Sequence, residues 1–476
     1  MRIIGNNPAA DNAEITAVAS GALANGDTVI VNADGTVSVV AGSGSNPSVG
    51  AETTFSAYNV SYVQACYDPV NAKVVVLCGG GQFTGPTAVV GTVSGTSISF
   101  GTAVEVVNVS SYTDGIAYDA ASGKVVVIYH PAASEHGIAI VGTVSGTTIS
   151  FGSPTTYYSA QIYGANITAT PTKVVVSSWT GGGGRVKVGT VSGTSISFGA
   201  ENNIGAMYYL SGAYDSLNGK VVIAFWNTTT DVCAAMVGTI SGTSISFGTA
   251  VNFNTGSGDH PRLAFDTNSN KIVIAYQDNG NSYFGTSVVG TVSGTSISFG
   301  TKTVFLSATL NLSACIYDST DQKIVIAWGA GTGYDGRYII GTVSGTSISF
   351  GNSFIYNTGK TGITGVGLAY VSGTSKVAIA YRDEADSNYG KSVVLSVSEL
   401  ITNLTSENFI GFANGAAADT GTARVQIGSG INGAQSSLTA GQQYFVQTDG
   451  TLGLTAADPS VIAGTAISAT EIIVKG

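Results

Sequence analysis

Near-identical copies of the segment Gly-Thr-Val-Ser-Gly-Thr-Ser-Ile-Ser-Phe-Gly begin at Gly91, Gly142, Gly189, Gly238, Gly290 and Gly341, so the chain repeats itself every 47 to 52 residues. A period of that length, built from short β-type runs, is the size of one four-stranded propeller blade. In the second repeat the runs are Gly115-Ile-Ala-Tyr-Asp119, Lys124-Val-Val-Val-Ile-Tyr129, Gly137-Ile-Ala-Ile-Val-Gly-Thr-Val144 and Thr148-Ile-Ser-Phe-Gly152, here called strands A to D. Strands A and B are almost continuously apolar, as expected where both sheet faces are covered. Strand D alternates Ser or Thr with Ile and Phe, which suits an outer, half-wetted edge.

The turns carry their own signals. Asp and Lys stand five residues apart between strands A and B at Asp68/Lys73, Asp119/Lys124, Asp215/Lys220, Asp266/Lys271 and Asp318/Lys323. An Asp at a strand end accepts backbone N–H groups of the following turn, so this spacing is structural. The C-to-D turn is Ser-Gly, as at Ser94-Gly95 and Ser293-Gly294, with Gly free to take the positive φ of a tight hairpin.

A seventh A-B-C set occurs at Gly367-Leu-Ala-Tyr370, Lys376-Val-Ala-Ile-Ala-Tyr381 and Lys391-Ser-Val-Val-Leu-Ser-Val-Ser398, but Glu399 and Leu400 then break the pattern. Ser48-Val49-Gly50-Ala51 matches Ser99-Phe100-Gly101-Thr102 one period earlier. The expected fold is therefore an all-β, seven-bladed β-propeller over 47–400, closed by an N-terminal strand, which leaves no open sheet edge. Residues 1–46 supply a hairpin whose Asp34-Gly35-Thr36 aligns without gaps to Asp449-Gly450-Thr451. Residues 401–476 read as a small β module into which that hairpin is expected to pack.

Composition narrows the function classes. With a net charge of −10 and 18 Lys and Arg in 476 residues, the chain has no basic stripe for phosphates, so no nucleic-acid partner is expected. No segment reaches the roughly 20 apolar residues of a membrane span, and the N-terminus lacks the apolar stretch of a signal peptide. Synthesis and folding in a cytoplasm are expected. Cys66, Cys78 and Cys315 lie in apolar strand runs and read as buried thiols, although a Cys66–Cys78 bridge is conceivable on neighbouring strands.

In such a blade the A–B and C–D turns share one face, while the B–C loops and D-to-A connections share the other. The second set differs from repeat to repeat and is the better recognition surface. Its candidate ligand-binding residues are Tyr157, Tyr158, Trp179, Trp226, His260, Arg262, Tyr283, Trp328, Tyr334, Arg337, Arg382, Asp383 and Tyr389, with Tyr112, Asp114, Tyr208 and Tyr209 on the same face. Aromatic rings among carboxylates and arginines suit stacking on sugars or anchoring a protein. A competing reading makes strand-B ends such as Tyr129, Phe225, Tyr276, Trp328 and Tyr381 part of the core.

Catalysis has little support. His130, His136 and His260 are scattered and read as surface loop residues, and no metal or cofactor motif stands out. Asp278, Asp335, Asp383 and Glu384 could furnish a glycosidase pair. Calcium at 383–386 or 278–280 is an alternative to plain turn chemistry.

The repeat, together with Leu438-Thr-Ala-Gly-Gln-Gln-Tyr-Phe-Val-Gln-Thr-Asp-Gly-Thr451 and Ala463-Gly-Thr-Ala-Ile-Ser-Ala-Thr-Glu-Ile-Ile-Val-Lys-Gly476, resembles virion fibre proteins of marine bacteriophages, especially those infecting cyanobacteria. The resemblance spans nearly the whole chain. It implies a non-enzymatic tail or capsid fibre, made in the host cytoplasm and built into the virion. It further implies other virion proteins and a host cell-surface glycan or protein as partners, and a homo-oligomer, trimers being common among fibres. Capsid decoration and a glycan depolymerase are the alternatives. No family catalytic residues are available to carry over.

Overall fold

The computed structural model describes residues 13–43, 47–311, 313–329, 335–359, 361–397, 401–457 and 459–475. They belong to two compact units, one formed by 47–397 and the other by the two terminal segments, 1–46 and 398–476.

The larger unit is a β-propeller of seven antiparallel blades. In blade 1, strand A is Val60–Asp68, B is Lys73–Gly80, C is Thr87–Ser94 and D begins as Ser97–Phe100. Strand D does not stop at Phe100. After Gly101 it resumes as Val104–Glu105 along the first half of strand C, with the register displaced by one. In blade 2 this continuation becomes one strand, Thr155–Ala169, which leaves the outer edge of blade 2 and serves as strand A of blade 3. What reads in sequence as a loop around Tyr157 and Tyr158 is thus strand, paired with strand C of blade 2 through two register shifts.

Each A strand packs against the next around the axis, and strand A of blade 7 (Thr361–Val371) packs against that of blade 1, closing the ring. Between consecutive blades lies a separate apolar core, for example Val75, Leu77 and Val90 of blade 1 with Val125, Val127 and Tyr129 of blade 2. Burial at about 25 cal/mol per Å² of apolar surface makes these interfaces the main stabilising term.

The conserved turn chemistry works as the spacing predicts. Asp68 Oδ1 accepts the N–H groups of Val70 and Asn71, both at 3.0 Å, and Asp215 and Asp266 do the same in their blades. The lysine after the turn reaches across to the Thr of the repeat: Lys73 Nζ donates to Thr92 Oγ1 at 2.8 Å. Gly95 of the Ser-Gly turn has φ 59°.

The glycine that ends each repeat has a different task. A Cβ on Gly101 would lie 1.9 Å from the carbonyl oxygen of Thr147, in the C–D hairpin of the following blade. Gly152, Gly199, Gly248 and Gly300 meet Thr194, Thr243, Thr295 and Thr346 in the same way. Only a residue without a side chain lets adjoining blades approach this closely.

Blade 7 takes its outer strand from the start of the chain. Ser48–Val49 pairs with Leu395 and Ser396, and Thr53–Ser56 pairs with 390–392. Gly50 fits against the Thr96 carbonyl of blade 1 in the same way. Glu52 pins the segment, accepting hydrogen bonds from Tyr381 Oη at 2.5 Å and Lys391 Nζ at 3.0 Å.

The smaller unit holds two five-stranded sheets. One interleaves N-terminal and C-terminal segments in the order Glu14–Val18, Thr422–Gln426, Phe409–Ala413, Thr28–Val31, Val37–Val39. The other is drawn from 431–474. Ile30 and Phe412 of the first share a core with Tyr444, Val446 and Ile472 of the second. The two aligned hairpins match in detail, with Asp34 Oδ1 accepting from Thr36 N–H and Asp449 Oδ1 from Thr451 N–H. No helix of the described residues is long and apolar enough to cross a membrane. All four cysteines are thiols, and burial pushes that of Cys78 up to about 12.

Candidate functional site

Every A strand enters its blade from the variable face, and most are irregular just inside it. Pairing with strand B skips residues between Ser61 and Gln64, Thr113 and Gly115, Tyr208 and Ser211, and Asp259 and Arg262. At these bulges Tyr62, Tyr209 and His260 have φ of 49°, 52° and 52°. Bulky residues rarely adopt this left-handed conformation, which costs about 1–3 kcal/mol each and is typical of functional sites. A bulge re-aims its side chains. Here it presents them at the mouth of the central channel.

That mouth is a cavity of about 410 Å³, within the range of small-molecule sites. One part of its wall is Tyr62, Tyr112 and His130. Tyr62 and Tyr112 meet edge to face with centroids 5.9 Å apart, and Tyr112 stacks on the His130 ring at 4.9 Å. Tyr62 and Tyr112 keep 41% and 42% of their surface in solvent. A second aromatic group gathers around Tyr209, which meets Trp179 edge to face at 4.5 Å and lies 4.2 Å from the His260 ring. Trp226 stands behind it, 6.1 Å from Tyr209, its Nε1–H donating to Asp231 Oδ1 at 3.0 Å.

Polar groups line the same cavity. His130 Nδ1 lies 2.8 Å from Asp114 Oδ2, and burial raises the Asp114 pKa against the lowering effect of that contact. His260 is pulled down to about 4 by burial and by the neighbouring Arg262 charge, so it is neutral at pH 7. Burial and the Asp259 charge raise the Tyr209 pKa, leaving a neutral phenol. Arg262 lies deeper and also lines a second cavity of about 240 Å³ enclosed by the A strands of several blades.

The structure therefore gathers Trp179, His260, Arg262 and, in support, Trp226 from the sequence candidates. It removes others. Trp328 is 1% exposed, packed in the core between blades 5 and 6 with its ring 5.7 Å from Phe305. Tyr157 is 3% exposed and belongs to the core between blades 2 and 3. Asp383 is buried, its Oδ1 accepting the Ala385 N–H at 3.0 Å as a turn cap. These three cannot contact a ligand without unfolding their surroundings.

Tyr158, Tyr283, Arg337, Arg382 and Tyr389 are accessible to some degree but do not line the mouth. Arg337 pairs with Asp335 at 3.6 Å and Arg382 with Glu384 at 2.9 Å. Tyr334 lies outside the described residues. Asp278, a candidate carboxylate, is held by Lys302 at 3.0 Å and by Asn254 at 2.9 Å. His130, read in sequence as a loop residue, is 8% exposed and pairs with Asp114.

Sequence reasoning missed Tyr62. A signal was present: Tyr62, Tyr209 and His260 each stand six residues before the turn aspartates Asp68, Asp215 and Asp266, so alignment of the repeats on those aspartates brings an aromatic ring to one position in three blades.

No protein-family model and no curated protein matches the chain. Solved structures do. A chain in a crystal structure of the Mitotic Checkpoint Complex aligns with TM-score 0.51 at 9% identity, over 73% of this chain and 93% of its own. The β-propeller domain of Myceliophteria thermophila Cps50 (Swd1) aligns with TM-score 0.47 at 7% identity, over 73% and 100%. Saccharomyces cerevisiae Sqt1 aligns with TM-score 0.45 at 10% identity, over 74% and 99%. What the first of these shares with the chain is the fold alone, and function rests on the site.

Proposed function

We propose that the chain is a non-enzymatic virion fibre protein whose propeller binds a host cell-surface glycan in the channel mouth. The observation that carries this reading is the wall of partly exposed rings, Tyr62, Tyr112, Trp179 and Tyr209, set around convergent polar groups in one cavity. Aromatic faces stack on the C–H faces of sugar rings while the polar groups bond hydroxyls. The virion assignment draws on the repeat and on the C-terminal pattern. A catalytic reading is disfavoured because Asp278 and Asp383 are committed to structural contacts.

A second reading, a virion component that docks on other proteins, is favoured by the resemblance of fold to a chain from a multiprotein complex. Binding to a panel of envelope glycans separates the two. The expected outcome is saturable binding that Tyr209→Ala and Trp179→Ala reduce at least tenfold, with circular dichroism and melting unchanged. Binding to virion proteins, and to no glycan, selects the second reading. Labelling of intact particles with an antibody against the chain tests the virion placement separately.

A further inference from the structure

We propose that Arg262 makes the floor of the mouth an anion subsite, so that the glycan bound there is acidic and presents a sugar carboxylate to the guanidinium. The inference rests on the glycan reading of the mouth and specifies its chemistry.

Each other arginine among the described residues has a carboxylate partner: Arg185 has Glu201 at 3.1 Å, Arg337 has Asp335, Arg382 has Glu384 and Arg424 has Glu14 at 2.7 Å. Arg262 does not. Its protein hydrogen bond runs from Nη1 to the carbonyl oxygen of Pro261 at 3.0 Å. The acids nearby are engaged elsewhere, Asp114 by His130 and Asp259 by Asn279 Nδ2 at 3.1 Å. Glu135, the remaining carboxylate of the wall, stands in the B–C connection of blade 2, and no ion pair joins it to Arg262.

Arg262 is also the sole permanent cation lining either cavity among the described residues. Burial alone draws its pKa down to about 10, so it remains charged at pH 7. A guanidinium partly withdrawn from water without a counter-charge is costly. Its planar fork matches a carboxylate bidentately, which a hydroxyl cannot equal. The charge is local, since the chain as a whole is at −10. The aromatic rings above it would stack the sugar while the arginine takes its acid group.

The test uses the full chain, with fluorescence of Trp179 and Trp226 or calorimetry as readout. Probes are oligomers of glucuronic or galacturonic acid and the same oligomers with their carboxyl groups reduced to alcohols. The expected result is at least tenfold tighter binding of the acidic member of a pair. Arg262→Gln should abolish that preference and Arg262→Lys restore part of it, with melting temperatures checked for each variant. Equal binding of acidic and reduced oligomers would overturn the arginine inference and leave the glycan reading standing. A preference that survives in Arg262→Gln would also overturn it. Failure of both members, and of free glucuronate at millimolar concentration, would remove both readings together.

Discussion

At the turn end of strand A in blade 1, Asp68 closes a loop through two backbone hydrogen bonds of 3.0 Å, and the same arrangement recurs in blades 4 and 5. At the mouth end of the same strand, Tyr62 is forced to φ 49° beside a break in the ladder, and the corresponding residue is Thr113 in blade 2, Tyr209 in blade 4 and His260 in blade 5. Uniformity accumulates where a blade must fit its own turn and its neighbour, as at the glycines facing the next hairpin. Diversity and strain accumulate where it faces the channel opening. Strain of this kind is tolerated because the cores between blades over-determine the strands that carry it.

Substitutions at the two ends should therefore separate stability from binding. The largest effect is expected in the core: Trp328→Ala should cost about 3–5 kcal/mol in denaturant unfolding, while any folded fraction still binds ligand at the mouth. Loss of binding without loss of stability would return Trp328 to the site. Gly248→Val, which drives a side chain into the Thr295 carbonyl, should cost about 3 kcal/mol by overpacking. A neutral result would show that the blades can slide apart at this contact.

Acid should act through the mouth. His260 has a folded-state pKa of about 4 against an ordinary 6.5, so the unfolded chain binds the extra proton between those values. Stability is then unaffected above pH 6.5 and falls as pH drops toward 4, by on the order of 3 kcal/mol for this group. Unfolding curves of His260→Asn, which tolerates the left-handed backbone, should lack that component. An unchanged pH slope would mean that the ring is already solvated.

Tyr62→Gly should give a smaller change in stability and the clearest functional one. Relief of the left-handed strain offsets the lost contacts, so stability should stay level or rise by about 1 kcal/mol, while glycan binding weakens at least fivefold. Tyr283→Ala, 51% exposed and away from the cavity, should alter stability by less than about 0.5 kcal/mol and leave binding intact.

The architecture was legible because its signals are local and repeated. The Asp-to-Lys spacing, the Ser-Gly turns and the displaced strand at Ser48 all report backbone requirements that one sequence displays many times over. The mouth was legible only in part. Aromatic content at Trp179, Tyr209 and His260 marked the right face, and strand phase separates the tryptophans: Trp328 stands five residues after Lys323, in step with the buried Tyr129, Phe225, Tyr276 and Tyr381, whereas Trp179 and Trp226 stand six after Lys173 and Lys220 and so turn to the other face, beside the opening. The bulges decide which side chains turn toward the axis, and they become visible only in the folded pairing. The Asp114–His130 contact is of the same kind, joining residues on paired strands through a register shift.

The pairing of Val49 with Leu395 also sets an order of events during synthesis. At about 5–20 residues per second, the ribosome needs on the order of a minute to deliver the second strand after the first has emerged. Until then the early strand has no sheet to join, since the blade it completes is the last of the ring to be made, and it must stay unpaired with other chains for that time. Translation speed and crowding of polysomes are thus expected to govern the yield of closed molecules more than the stability of any individual blade.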